Sequence, residues 1–307
     1  MSKVEEFEEL RPLLFSLAYR ILGSVGEAED AVQETWLRFD RSATRPTSTK
    51  AYLSAAVTRL SIDVLRSARV RREEYVGPWF PEPLLSDPYQ DPERSAELAD
   101  SLSMAALLLL ERLSPLERAV FVLREVFGFE FDEVAAAVDR TPAACRQLLV
   151  RARRHMEDGR PRFAAVRAEQ EELASRFFAA LHEGDIAGLR DVLAADVTMI
   201  GDGGGKAPQF ARAVVGAEKV ARLLGSVFPW MTQVGITLTP HEINGHPGAV
   251  FRTADGKVLH TLMLDILDGQ IQTVRGVLNP DKLGHLGPVA DAWSVDREMR
   301  QVRRQQS

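Results

Sequence analysis

The sequence predicts a multidomain chain: two all-α domains, the second with a helix-turn-helix, followed by an α+β domain. Three observations carry this. Helical periodicity runs through the first half with no strand signal. Residues 128–156, GFEFDEVAAAVDRTPAACRQLLVRARRHM, read as two short helices joined by a tight turn. After residue 165 helices give way to period-two stretches punctuated by Asp-Gly turns, the pattern of an α+β domain. The 307 residues suffice for two or three domains, and a 45% hydrophobic content suffices for ordinary cores.

Residues 4–40 read as helical. Phe7, Leu10, Leu14 and Leu17 share an apolar face that Phe15, Ala18 and Leu22 widen, and Gly23 ends the helix. Ser24 and Glu27 have the spacing of a capping box for the next. Its inner face is Ala28, Val32, Thr35 and Phe39, with Trp36 beside them; Glu27, Glu29, Asp30 and Glu34 make the outside acidic. Such a face is either merely solvated or a docking surface for a basic partner protein. Residues 41–49 form a polar connector, and Thr49 is the expected cap of a helix reaching about Arg72. Leu53, Val57, Leu60, Ile62, Val64 and Leu65 give that helix an apolar side; Lys50, Arg59, Arg66, Arg69, Arg71 and Arg72 make it basic. A basic helix behind a polar loop suits a single nucleic-acid strand, with Trp36, Tyr52 and Tyr75 as nearby stacking aromatics. Trp36 and Tyr52 are also expected to be partly core.

Residues 74–96 hold five of the sixteen prolines, which excludes a long helix or a central strand. A solvated tether would not need Trp79, Phe80, Leu84 and Leu85. The stretch 79–83, WFPEP, therefore reads as a rigid segment that docks, with the C-terminal domain as the expected surface. A leucine-rich helix over 97–113 follows. Ser114-Pro115-Leu116-Glu117 then restarts helix, with Ala119, Val120, Leu123 and Val126 inward, and Gly128 breaks the run. In the helix-turn-helix, Val134, Ala135 and Val138 face inward and Asp139-Arg140 turns the chain. Thr141 caps the second helix and Pro142 takes its first position. Arg146, Gln147, Arg151, Arg153 and Arg154 surround a stripe of Cys145, Leu148, Leu149 and Ala152. This is the layout of a DNA reader, against the plainer alternative of a hairpin with a solvated basic face.

The last domain is read as helices at 168–183, 185–193 and 216–229 and strands at 194–202, 236–243, 248–253, 258–267 and 270–278. Asp-Gly hairpins fall at 254–257 and 267–270. A curved sheet over helices leaves either a filled core or a pocket lined by Phe178, Met199, Phe228, Trp230 and Met263. Residues 291–307, with Arg297, Arg300, Arg303 and Arg304, are helical or frayed.

Net charge is -6, but its distribution matters more. Residues 1–40 hold nine acids and four bases, 41–72 eight bases and one acid, and 140–162 seven bases and two acids. A single cysteine forms no internal disulfide, and the apolar run 104–110 is too short to span a membrane. With no signal-peptide pattern at the start, a cytoplasmic protein is expected. Asp202-Gly203-Gly204-Gly205-Lys206 lacks the spacing of a phosphate-binding loop. Histidines 155, 182, 241, 246, 260 and 285 form no metal motif, and His260 and Asp265 fall on opposite strand faces. No catalytic, cofactor or metal residue is expected.

At this level of detail the chain resembles bacterial RNA polymerase sigma factors of the extracytoplasmic-function class. The resemblance rests on LAYRILGSVGEAEDAVQETWLRF (17–39), TKAYLSAAVTRLSIDVLRSARVRRE (49–73) and LSPLERAVFVLREVFGFEFDEVAAAVDRTPAACRQLLVRARRHM (113–156), in that order. Within the class it is similar to the subgroup with a C-terminal SnoaL-like, or NTF2-like, cone domain. The motifs there are the linker Trp79-Phe80-Pro81-Glu82-Pro83, with phenylalanine where the subgroup has leucine, Asp202-Gly203-Gly204-Gly205-Lys206, and Asn279-Pro280-Asp281-Lys282-Leu283. The resemblance implies a region 2 domain over 1–73, a linker over 74–96, a region 4 helix-turn-helix domain over 97–160, a cone domain over 166–290 and a tail over 291–307. It implies core polymerase contacts at Glu27, Asp30, Gln33, Glu34, Trp36 and Leu37. It implies single-stranded −10 contacts at Lys50, Arg59, Arg66, Arg69, Arg71 and Arg72. It implies duplex −35 contacts at Thr141, Arg146, Gln147, Arg151, Arg153 and Arg154. The three motifs would form one intramolecular regulatory region, in a protein that is a monomer when free. Two alternatives stay open: a helix-turn-helix regulator whose cone domain senses a small ligand, and an enzyme using the cone pocket.

Overall fold

The computed structural model describes residues 2–43, 45–91, 93, 95–157, 167–209 and 212–305. The chain divides into two compact units, one of Met1–Glu74 with Ser86–Arg160, the other of Tyr75–Leu85 with Pro161–Ser307. The proline-rich segment is thus split: its first part belongs to the C-terminal unit.

In the first unit α1 (Lys3–Leu22) ends on Gly23 at φ 70, a left-handed cap that glycine adopts without strain. Ser24 then accepts the Glu27 N–H at 3.2 Å and opens α2 (Val25–Arg41). Ala28, Val32, Thr35 and Phe39 are buried as the periodicity requires. The cap of α3 (Thr49–Glu73) is Ser48 rather than Thr49: its Oγ accepts the Ala51 N–H at 3.2 Å. Thr49 instead donates its hydroxyl to Glu6 at 2.8 Å. The leucine-rich helix is two helices, α4 (Ser95–Leu102) and α5 (Met104–Leu110), because Ser103 caps the second through the Ala106 N–H. Next, α6 (Pro115–Phe121) starts on a full Ser114/Glu117 capping box and runs into a π-helical turn, Val122–Val126, that periodicity does not reveal. Gly128 at φ 70 redirects the chain into α7 (Phe131–Val138) and α8 (Pro142–Glu157).

Beyond Tyr75–Leu85, the first elements of the second unit are α9 (Arg167–Glu183) and α10 (Ile186–Val192), the latter capped by Asp185. Its six strands are β1 (Leu193–Asp202), β2 (Val214–Val215), β3 (Thr237–Ile243), β4 (His246–Arg252), β5 (Val258–Leu267) and β6 (Gln270–Val277), in the order β2-β1-β6-β5-β4-β3. Only β1 and β6 pair in parallel among the described strands. Asp268 and Gly269, at φ 51 and 69, make the expected β5–β6 hairpin; Asn244 and Gly245, at φ 53 and 74, make an equivalent β3–β4 turn. α11 (Ala217–Gln233) passes through Pro229 instead of stopping there, and α12 (Ala292–Gln305) packs Ala292 and Val295 into the core.

One sheet face, with Ala249, Phe251, Leu262, Leu264 and Val274, packs with Phe177, Val220, Leu224 and Phe228 of the helices. The alternate residues Val250, Thr261, Met263 and Val277 point to the other face, yet are equally buried. Arg275 shares that second face, and its guanidinium lies 5.9 Å from the Phe80 ring centroid, so residues 75–85 cover it. The expected pocket lining is corrected here. Phe228 and Met263 are buried side chains, and the cavity opens between α9 and the β3–β4 hairpin, with Phe178 as the only one of the five expected residues on its wall.

Candidate nucleic-acid interface and linker clamp

The helix-turn-helix is built from local rules. Asp139, at φ 52, ends α7, and its N–H caps back to Ala135. Thr141 Oγ1 accepts the Ala144 N–H at 3.2 Å, opening α8. Cys145, Leu148, Leu149, Ala152 and Met156 are buried, which turns the polar side of α8 outward. Arg146, Gln147 and Arg154 are exposed, and the Arg146 guanidinium sits 4.8 Å from the Phe131 ring centroid, which orients it without neutralising it. Arg151 and Arg153 are held by carboxylates: Arg151 by Glu117 at 3.0 Å, Arg153 by Glu125 at 2.9 and 3.2 Å. Burial acts to raise the Glu117 pKa, but the Ser114 hydroxyl and amide, with Arg151, outweigh it and hold the carboxyl below its ordinary value.

The basic helix α3 is partly engaged within its own unit. Arg59 donates to the carbonyls of Ala136 and Ala137, the latter at 3.0 Å, near the C-terminus of α7 where carbonyls are unpaired. Lys50 lies 5.7 Å from the Phe129 ring centroid, and Arg66 pairs with Asp63 at 3.2 Å. Arg69, Arg71 and Arg72 lie on the last turns of α3, with their side chains outside the described residues. Tyr52 is half-exposed beside Phe39, and Trp36 packs against Phe7 and Phe39. Tyr75, expected as a stacking aromatic, is bonded inside the C-terminal unit instead. On α2, Asp30, Gln33 and Leu37 are exposed, Glu27 and Glu34 half-buried, and Glu34 pairs with Arg38 at 2.7 Å.

The sequence reading missed the strongest polar site of this unit. Arg20 of α1 is fully buried. It donates to Asp87 at 2.9 Å, Ser101 Oγ at 2.8 Å, the Leu98 carbonyl at 2.8 Å, and Ser16. Arg118 of α6, 1% exposed, donates to the Arg20 carbonyl at 3.0 Å and to Glu111. Two buried guanidiniums therefore tie α1 to residues 87–118. In sequence they are ordinary helical arginines; only the apolar context of Arg20, between Tyr19 and Ile21, hinted at burial.

In the second unit the three motifs meet. Asp202, at the end of β1, is fully buried. Its carboxylate accepts the Tyr75 hydroxyl, the Phe80 N–H at 2.8 Å and the Lys282 ammonium at 2.6 Å. Lys282 also donates to the Phe80 carbonyl and stacks its charge on the rings of Tyr75 (4.7 Å) and Trp79 (4.2 Å). Burial and the neighbouring Asp202 carboxylate push the Tyr75 phenol well above its ordinary value, so it stays a donor. Asn279 Nδ2 donates to the Tyr75 oxygen at 2.7 Å, and its Oδ1 caps Asp281. Gly204 and Gly205 have φ of 57 and 71, and a Cβ on Gly204 would sit 2.7 Å from the Tyr75 oxygen. The glycines thus allow both the turn and the close approach. Lys206 reaches Asp281 at the surface. Further along, Leu84 exchanges two bonds with Asn244, its N–H to Oδ1 at 3.1 Å and its carbonyl from the Asn244 N–H at 2.7 Å. His285 Nε2 lies 2.7 Å from the Pro83 carbonyl. Tyr75, Asn244 and His285 join the candidate site from outside the motifs; the Asn-Gly turn was the one signal that could have flagged Asn244.

His260 and Asp265 are not brought together: His260 stacks on Phe251 at 3.9 Å, and Asp265 pairs with Arg275 at 2.7 Å. Burial lowers the His260 pKa to about 4. Among the described residues no cluster of three or more metal-ligating side chains occurs, and no helix is long and apolar enough to cross a membrane.

A basic-faced helix-turn-helix, a basic helix before it and a fused α+β domain with a mixed, unclosed sheet of the NTF2/SnoaL kind define a class: sigma-type promoter-recognition proteins with a C-terminal extension. Sequence comparison agrees. The profile of Sigma-70 region 2 matches residues 7–71, and that of Sigma-70, region 4 matches residues 103–156. The chain is 38% identical over 290 residues to the ECF RNA polymerase sigma factor SigJ of Mycobacterium tuberculosis, covering 91% of this chain and 93% of the relative. It is 30% identical to the probable ECF RNA polymerase sigma factor SigI of the same species, covering 90% and 93%. The crystal structure of Mycobacterium tuberculosis SigJ superposes with a TM-score of 0.70 at 35% identity, over 92% of this chain and 98% of that one. The chain belongs to the ECF RNA polymerase sigma factor family.

Proposed function

We propose that the chain binds bacterial core RNA polymerase and directs it to promoters, with its C-terminal unit modulating that activity. The observation that carries the reading is the exposed Arg146, Gln147 and Arg154 face of α8, presented by a capped helix-turn-helix in a chain of this family. Residues 97–160 read the −35 element as duplex in the major groove, with Arg146 and Gln147 toward base edges and Arg153 and Arg154 toward phosphates. Residues 1–73 hold the −10 element as single strand along α3 and meet the polymerase through Asp30, Gln33 and Leu37 with their neighbours on α2. Bond synthesis belongs to the polymerase. Arg59 and Lys50 serve the single strand only after leaving α7 and Phe129, so promoter capture includes opening of the first unit.

The test is run-off transcription with core polymerase on genomic fragments, using the parent and Lys282→Met. Discrete transcripts that depend on the protein support the reading, and a change in their yield with the variant gives the sign of C-terminal control. No transcripts together with no core binding would sink it.

A further inference from the structure

We propose that Val150 of α8 reads the 5-methyl group of a thymine in the major groove of the −35 element. This rests on α8 being the helix that enters that groove, and adds an apolar contact to its charged and amide ones. Val150 is 56% exposed, the most exposed large apolar side chain described in the first unit. A lone valine on a surface needs no explanation, but the place of this one does. Cys145, Leu149 and Ala152 are buried, and at about 3.6 residues per turn Val150 falls on the opposite side of α8. There it stands among Ala143, Arg146, Gln147 and Arg154, all exposed.

A branched hydrocarbon offers a phosphate nothing. It also costs the helix, because valine loses side-chain freedom there. In the major groove it has one natural partner, since thymine alone of the four bases presents a methyl group on that edge.

Arg146 fixes the neighbourhood. It lies one turn before Val150, on the same side of the helix. Its guanidinium is 4.8 Å from the Phe131 ring centroid, and that of Arg124 is 4.9 Å from the same ring. Arg146 therefore meets the groove with its direction set by α7. Four helical residues span about 6 Å and one base step about 3.4 Å, so the thymine lies within about two base pairs of the base that Arg146 faces.

For the test, holoenzyme is assembled from core polymerase and the full chain, and its affinity is measured for a promoter duplex that the run-off assay yields. Each −35 thymine, on either strand, is replaced singly by deoxyuridine, which removes the methyl and keeps the pairing. We expect one thymine at which uracil weakens binding about fourfold, the value of one buried methyl. Val150→Ala should weaken binding to the thymine duplex at least as much, and uracil at that position should then cost nothing further. Val150→Ile keeps the hydrocarbon and should keep the uracil penalty. Alanine is the better helix former at this exposed position, so Val150→Ala should fold and bind core polymerase as the parent does. A parent indifferent to uracil at every −35 thymine, or an equal uracil penalty in the parent and Val150→Ala, overturns the proposal and leaves promoter recognition in place. Loss of core binding in Val150→Ala also overturns it, because the valine then serves the polymerase. Absence of any protein-dependent transcript removes promoter recognition itself, and the thymine contact with it.

Discussion

The two units bury charge in opposite ways. In the first the hub is a cation: Arg20 collects the Asp87 carboxylate, two hydroxyls and two carbonyls. In the second the hub is an anion: Asp202 collects a phenol, an amide N–H and an ammonium. A guanidinium offers five donors in a fixed fork and a carboxylate about four acceptor directions, so either can knit several segments at one point. Both hubs hold stretches of the same proline-rich region, residues 75–80 on one unit and Asp87 on the other. They differ in support. Lys282 is also flanked by two aromatic rings, whereas Arg20 has one, Phe127, at 5.5 Å. The comparison teaches that this region is not a tether: it is divided between two buried polar anchors.

The sharpest way to break the comparison is Lys282→Met. It leaves Asp202 buried without its counter-ion and should cost about 3–5 kcal/mol, with faster protease cleavage in residues 75–85. A denaturation midpoint shifted by less than about 1 kcal/mol would remove Asp202 as a hub.

Acid should separate the units. The His260 pKa is lowered by burial from 6.5 to about 4, so the unfolded chain binds the extra proton between those values. The stabilisation is complete above pH 6.5 and is lost as pH falls towards 4, by at most about 3 kcal/mol. His260→Phe should flatten this slope for the second unit in urea melts followed over that range, leaving the first unit's pH dependence as it was.

Arg20→Lys keeps the charge and loses the fork, for an expected cost of about 2–3 kcal/mol. A neutral outcome would mean that Asp87 alone matters. Smaller again, Gly204→Ala forces a side chain into φ 57 against Tyr75 and Asn279, worth about 1–3 kcal/mol. Its control, Gly26→Ala in α2, meets nothing within 4 Å and should gain about 0.5–1 kcal/mol. If the two glycine variants melt alike, the close approach at the clamp is not what the triple glycine serves.

Much of this was legible because its causes are local. Thr141 caps α8, Ser114 caps α6 and Asp268-Gly269 turns β5 into β6 through contacts a few residues apart. A nearby contact explains one correction, since Ser103 cuts the leucine run with a cap bond to Ala106; a distant one accompanies the other, since Glu6, far off in sequence, holds Thr49 while Ser48 takes the cap. Pro229 stays within α11, where its missing N–H did not end the helix. The burial of Arg20 left only the hint of its apolar neighbours and that of Arg118 none, since decisive partners lie up to about a hundred residues away.

By itself the sequence determined the helix and strand periods, the caps of α2, α6 and α8, the basic face of α8 and the membership of Asp202 and Lys282 in short motifs, because each depends on side-chain type and spacing. Tertiary structure alone decided which arginines are free and which are spent on carbonyls, and that Tyr75 serves Asp202 rather than a base. It also decided that the cavity opens at the β3–β4 hairpin and not around Met263. Those outcomes depend on which surfaces meet, and a buried polar group takes whichever partner the packing brings within about 3 Å.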